Sequence, residues 1–147
     1  MKKTLLIATL LMLTGSAFAQ ASPVGLWKTI DDNTKKERSL IRVSEAGGVF
    51  TGKIEKRLDA DAKPTDICDQ CTDDRKNQPI LGLTLIRNVK QSADDKGLWD
   101  GGDFTDPDNG KVYKVRLKPI DDGKKLEVRG YIGMPMLGRT QTWIRVE

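Results

Sequence analysis

Cys68-Asp69-Gln70-Cys71 holds both cysteines of the chain in a C-x-x-C spacing, the arrangement with the widest chemical repertoire in this sequence. Two thiols three residues apart can cycle as a redox pair, clip a metal ion or close a disulfide. A zinc site needs two more soft ligands, and with no histidine and no third cysteine the remaining donors are carboxylates. A redox pair needs a helix N-terminus or a cation to lower the first thiol's pKa. Here Pro64, Asp66, Asp69, Asp73 and Asp74 surround the pair, and negative neighbours raise it. A disulfide remains, the expected state of an even cysteine count in an exported chain. So small a loop removes about 2 kcal/mol of unfolded-chain entropy. The staple therefore orders its own loop and does not hold a domain shut.

The other candidates are less specific. Six aspartates between Asp59 and Asp74, offset by Lys63, Arg75 and Lys76, lack the D-x-D-x-D-G spacing of a calcium loop and read as a solvated acidic segment. Asp103, Asp106 and Asp108 read as turn residues or as carboxylates without a metal. No metal and no cofactor is expected. Catalysis is not expected either: histidine, the usual proton carrier near neutral pH, is missing, and the carboxylates fall mostly in turns. The richest polar and aromatic group is Arg129, Tyr131, Arg139 and Gln141, which flanks Gly133-Met134-Pro135-Met136-Leu137-Gly138. That loop is apolar where a hairpin is ordinarily polar, so it either tucks into a cavity mouth, the favoured reading, or offers an adaptable contact. Arg129, Tyr131, Met134, Met136, Arg139 and Gln141 are the candidate ligand-binding residues.

The elements that must position these residues are strands. The chain alternates short β-type runs with turn signals and has no apolar stripe of helical period. Eight strands are expected: 24–29, 39–44, 49–57, 80–89, 97–104, 111–118, 124–132 and 139–146. In the sixth, Tyr113, Val115 and Leu117 face one way while Val112, Lys114, Arg116 and Lys118 face the other, as in a sheet with one buried face. In the fourth, Leu81, Leu83 and Leu85 are expected opposite Ile80 and Ile86, leaving an apolar outer face for a cover or a dimer contact. Asp106-Pro107-Asp108-Asn109-Gly110, Ala46-Gly47-Gly48 and Asp121-Asp122-Gly123 mark tight turns. Short links make sequence neighbours antiparallel neighbours, and a meander of eight strands hides its edges by closing into an up-and-down barrel. The connection 58–79 is too long for a hairpin and reads as a stapled cover over the fourth strand or over a barrel mouth.

The first nineteen residues have the parts of a secretory signal: Lys2 and Lys3, an apolar run from Leu5 to Leu13, and Ala17-Phe18-Ala19 as the cleavage site. The run is too short for the roughly 20 residues of a membrane span. Gln20, not cysteine, follows the cut, which leaves no site there for an acyl chain. Residues 1–19 are thus expected to be a cleaved leader and 20–147 a single domain in the periplasm, with secretion beyond the envelope as the other destination. Lys+Arg number 25 against 21 Asp+Glu, and losing Lys2 and Lys3 lowers the net charge from +4 to about +2. That small excess, without a basic cluster, argues against a nucleic-acid partner.

Several words together resemble one family: Gly25-Leu26-Trp27; Cys68-x-x-Cys71 followed by Arg75-Lys76-Asn77-Gln78-Pro79-Ile80; Asp106-Pro107-x-Asn109-Gly110-Lys111-x-Tyr113; and Val128-Arg129-Gly130-Tyr131-Ile132-Gly133 through Gly138-Arg139-Thr140-Gln141-Thr142-Trp143. They are similar to the bacterial exported family called domain of unknown function 2147, over essentially the whole chain after the leader. The resemblance implies an all-β, eight-stranded, lipocalin-like (calycin-type) barrel and implies nothing about activity, so it carries over no catalytic assignment. Barrels of that type carry Gly-x-Trp on the first strand, its ring closing the floor against an arginine of the last; the resemblance implies Trp27 and Arg145 in these roles. Gly52, Gly82 and Gly130 interrupt strands and either leave interior space or bend the chain. An envelope barrel binding a small apolar or amphiphilic ligand is the first functional expectation. A protein-interaction module with a filled interior is the second. Nothing in the pattern specifies an oligomeric state.

Overall fold

A period of two puts alternate side chains on opposite faces of a strand. In the computed structural model, which describes residues 21–147, Val115 and Leu117 are accordingly buried while Lys114 and Lys118 are exposed. The same alternation recurs around eight strands: β1 (Gly25–Ile30), β2 (Glu37–Ala46), β3 (Val49–Arg57), β4 (Thr84–Gln91), β5 (Trp99–Thr105), β6 (Val112–Ile120), β7 (Lys125–Tyr131) and β8 (Arg139–Arg145). Each pairs antiparallel with the next, and β8 returns to β1 through Trp27↔Arg145 and Lys28↔Ile144. The result is the expected closed, eight-stranded up-and-down barrel, with no free edge. The expected leader, residues 1–19, lies outside the described residues.

Most strand ends lie within two residues of expectation, but the fourth departs, and the reason is local. Gly82 has φ of 87°, Gly82 N donates to Ile54 O at 2.9 Å and Leu83 N to Ile80 O at 3.1 Å, so residues 80–83 turn before β4 begins. Pairing then runs Lys53↔Thr84 and Gly52↔Ile86, which leaves Leu85 as the extra residue of a β-bulge. Leu83, Leu85 and Ile86 are all buried and Leu81 is exposed. The expected two-sided apolar strand, with an outer face needing a cover or a dimer, is therefore not what forms. Gly52 is part of the same adjustment, since a Cβ there would meet Ile86 at 2.9 Å.

The core runs the length of the barrel, from Trp27, Phe50, Trp99 and Leu117 to Ile41, Ile54, Val128 and Trp143. Phe50 and Trp99 meet edge-to-face with centroids 6.0 Å apart. Strand polarity sorts the connections. The β2–β3, β4–β5 and β6–β7 turns gather with both described ends of the chain at one end of the barrel. The segments 31–36, 58–83, 106–111 and 132–138 gather at the other, so the long stapled connection and the Met-Pro-Met loop share one end.

Candidate functional site

The first end is stoppered. Trp27 is fully buried, with its indole N–H donating to Pro23 O at 2.7 Å. The Arg145 guanidinium lies 4.1 Å from the centroid of its ring, a cation over an indole face. Arg145 donates to the carbonyls of Val24 (2.8 Å), Ser22 (2.9 Å), Glu147 (3.2 Å) and Gly123, and burial alone lowers its pKa. Backbone dipoles and a π face thus stand in for a carboxylate. Gly25, at φ of 147°, must be glycine, because a Cβ would sit 2.4 Å from the Arg145 Nη1.

The second end is open. A cavity of ≈ 180 Å³ has Phe104, Tyr113 and Val128 as apolar walls and Asp106, Arg139 and Gln141 at its rim. Gly130 is part of this wall, and a Cβ there would only touch Tyr113 at 3.5 Å. An adjoining recess of ≈ 90 Å³ shares Phe104 and Gln141 and reaches Ile41, Ile54 and Trp143. One polar chain links floor and rim: Trp143 Nε1 donates to Gln141 Oε1 at 3.1 Å, Gln141 Nε2 donates to Asp32 Oδ2 at 3.0 Å, and Arg139 pairs with the same carboxylate. Across the opening, Arg38 donates to both oxygens of Asp108 at 2.7 and 3.3 Å, with Asp59 and Asp31 also within ion-pair range. The Asp108 hydrogen bond holds Arg38 above the usual guanidinium value. Arg57 pairs with Asp59 and, at 3.4 Å, with Asp66. The rim is therefore densely charged and internally compensated.

Of the residues singled out in the sequence, Arg139 and Gln141 come together at the rim. Arg129 and Tyr131 do not, because Leu126, Val128 and Gly130 take the inward positions of β7 and leave the odd-numbered residues outside. Arg129 instead braces the next loop, donating to Pro135 O at 2.6 Å, Met136 O at 3.3 Å and Thr140 Oγ1 at 2.7 Å. Tyr131 lies under the Arg116 guanidinium, 5.8 Å from its centroid. Met134 and Met136 stand away from the cavity, 55% and 71% exposed. The expected tucking of this loop fails because a 3-10 turn, Pro135–Leu137, held from below by Arg129, turns those side chains outward.

Cys68 and Cys71 form a disulfide with Cα atoms 5.4 Å apart, and both are buried in the core cluster. The staple is one tie among several. Cys68 N donates to Gln78 O and Asn77 N to Cys68 O, each at 2.8 Å, and Ile67 bridges to Pro79. Gly110, at φ of 72°, lets the β5–β6 turn press on the loop, since a Cβ there would lie 1.8 Å from Gln70 O. Asp59 and Ile80 bring the long connection into the wall of the recess.

Sequence reasoning missed Arg75. It treats this residue as one charge of a solvated loop, yet the side chain is only 4% exposed. It donates to Asp73 at 2.8 to 3.1 Å, to the carbonyls of Thr84 (3.1 Å) and Leu85 (3.4 Å), and to Asp103 at 3.5 Å. Registered pairing of β4 with β5 starts only at Ile86↔Phe104, so Arg75 supplies the donors that the sheet does not. The Arg75 hydrogen bond lowers the pKa of Asp73, and that of Arg87 lowers the pKa of Asp74. The acidic segment is thus largely ion-paired. Only the family word containing Arg75 signalled anything special about it.

Comparison with known proteins agrees with this architecture. No curated protein matches the chain. Among solved structures, HP1028 from the human pathogen Helicobacter pylori, described as belonging to the lipocalin family, superposes with a TM-score of 0.73 at 22% identity, over 86% of this chain and 84% of that one. At that identity the likeness concerns the fold. Residues 25–145 match the model of the family described as "Uncharacterized protein conserved in bacteria (DUF2147)", and the chain belongs to that family.

Proposed function

We propose that this is an exported, non-catalytic barrel that binds one small apolar or amphiphilic molecule at its open end. The observation that carries the reading is the polarity gradient of the mouth: Phe104, Tyr113 and Val128 wall a cavity of ≈ 180 Å³ whose rim holds Asp106, Arg139 and Gln141. A molecule with an apolar body and a polar end matches that gradient. The volume lies below the roughly 300–1,000 Å³ of drug-sized ligand pockets, so the occupant is small, or is the tip of a longer chain. Arg139 and Gln141, pre-oriented by Asp32, are the groups that meet its polar end. Arg129, Tyr131, Met134 and Met136 act outside the cavity.

A non-catalytic role is supported by the state of the reactive groups. Both cysteines are joined to each other, and the acids at the mouth are engaged by arginines or turn amides. Export is supported by the leader pattern and by the disulfide, which persists in oxidising compartments. A bacterial family and a staple together favour the periplasm, with 20–147 as the working domain.

Native mass spectrometry of protein purified from its own envelope tests the reading. Wild type is expected to carry an adduct that Gly130→Leu, which fills the cavity, loses without unfolding. Wild-type protein recovered bare would remove the proposal.

A further inference from the structure

The β7–β8 loop carries four exposed large apolar side chains: Ile132 at 63%, Met134 at 55%, Met136 at 71% and Leu137 at 74%. Its backbone is braced by Leu137 N donating to Met134 O at 3.0 Å, Gly138 N to Pro135 O at 3.2 Å, and Arg129 donating to two of its carbonyls. The apolar tip is therefore held out toward solvent by hydrogen bonds, and a tip so held calls for an explanation.

The outer surface beneath it carries three cations, with Asp103 across from Lys114 and Asp100 beside Arg116. Lys114↔Tyr131 and Arg116↔Arg129 are register neighbours on the outer face of β6 and β7. Among the described residues, an ion pair occupies Arg116 (with Asp100, at 4.0 Å) but neither Lys114 nor Arg129. Val112, 45% exposed, extends the apolar surface beside Lys114.

We propose that this loop enters a lipid surface bearing anionic head groups, with the apolar tip below the head-group level and the Lys114, Arg116 and Arg129 collar at it. Four features favour lipid over other occupants. The tip presents its four apolar side chains 55% to 74% exposed, as a protrusion would. Flexible methionines adapt to a disordered medium, and Tyr131 at the junction suits an interface that is apolar on one side and wet on the other. A two-fold pairing of copies through this patch would set its cations against themselves. The loop belongs to the open end, so a seated barrel brings its cavity mouth to the lipid. The inference does not depend on that cavity being occupied.

Vesicle sedimentation tests it on the chain without residues 1–19, so that the apolar leader contributes nothing; residues 21–147 close the barrel by themselves. The chain is expected to sediment with phosphatidylglycerol–phosphatidylethanolamine vesicles and far less with phosphatidylcholine. Replacing Met136 and Leu137 together by serine is expected to lower partitioning at least tenfold. Lys114→Glu is expected to lower it about fivefold or more, since one basic residue near an anionic surface is worth about that factor. These side chains make no hydrogen bonds, so melting temperatures should not change. Wild type left in the supernatant with anionic vesicles, or a serine variant that sediments like wild type, would overturn the proposal. So would binding equal on both lipids, or a dimer that the serine variant dissolves.

Discussion

Arg75→Met removes every donor of the guanidinium while keeping an unbranched stem that fills the same slot. The carbonyls of Thr84 and Leu85, bonded at 3.1 and 3.4 Å, lose their partner. A buried acceptor left alone costs about 1–3 kcal/mol, and these long bonds at a loop boundary belong near 1 each. The side chains of Asp73 and Asp103 are 37% and 33% exposed, so they rehydrate and add only about 1 kcal/mol between them. The expected loss is about 3 kcal/mol, a large part of the roughly 5–15 that holds such a domain together. Arg75→Lys keeps the charge as a single point and should lose about half as much. Urea unfolding reads the total, and amide exchange at Cys68 and Asn77, whose N–H groups bond within the loop, reads where it falls. If Arg75→Met costs under about 1 kcal/mol and leaves those amides protected, the disulfide and apolar contacts hold the connection and the guanidinium does not.

At the stoppered end, Arg145→Ala should cost about 2–3 kcal/mol, from the cation–π contact and the lost carbonyl contacts, and should shift Trp27 emission; an unchanged spectrum and midpoint would contradict the stopper. Acid should loosen the long connection before the core. Asp73 and Asp74 titrate below their ordinary value in the fold, so the stability they add is present above about pH 4 and is lost as pH falls through the folded values. Exchange at Cys68 and Asn77 should rise on that descent, and exchange independent of pH after correction for the intrinsic rate would refute the ion-pair account. Reducing the disulfide should lower stability by about 2 kcal/mol and leave the far-ultraviolet spectrum of a barrel; collapse of the β signal would mean that the staple supports the whole domain. Labelling should find Cys68 and Cys71 unreactive until reduced, because both are buried and bonded.

The mouth and the loop beside it divide work that the sequence presents as one cluster. Arg129, Tyr131, Arg139 and Gln141 are close in the chain, but a strand sends neighbours to opposite faces. Gln141 therefore lines the cavity while Arg129 props the loop outside. Parity along β7 could have been guessed from Leu126 and Val128. The outward turn of Met134 and Met136 could not, because it depends on Arg129 reaching two carbonyls across the loop.

What the amino-acid order determined by itself was the number of strands, their antiparallel sequence and the closing of the barrel. These follow from a period of two, from turn residues with fixed φ, and from links that, apart from the stapled connection, are too short to cross an end. The Trp27–Arg145 stopper was legible through a family word, and the staple through cysteine count and spacing. Only the tertiary structure decided the rest. A one-residue bulge at Leu85 leaves both Leu85 and its neighbour Ile86 buried, and such a slip is invisible until β3 and β4 are in register. Burial of Arg75 and pairing of the acidic segment needed partners from β4 and β5, brought there by the fold. The cavity lies where Gly130 of β7 leaves the space beside Tyr113 of β6 unfilled, a volume set by which side chains converge in space and carried by no single stretch of chain.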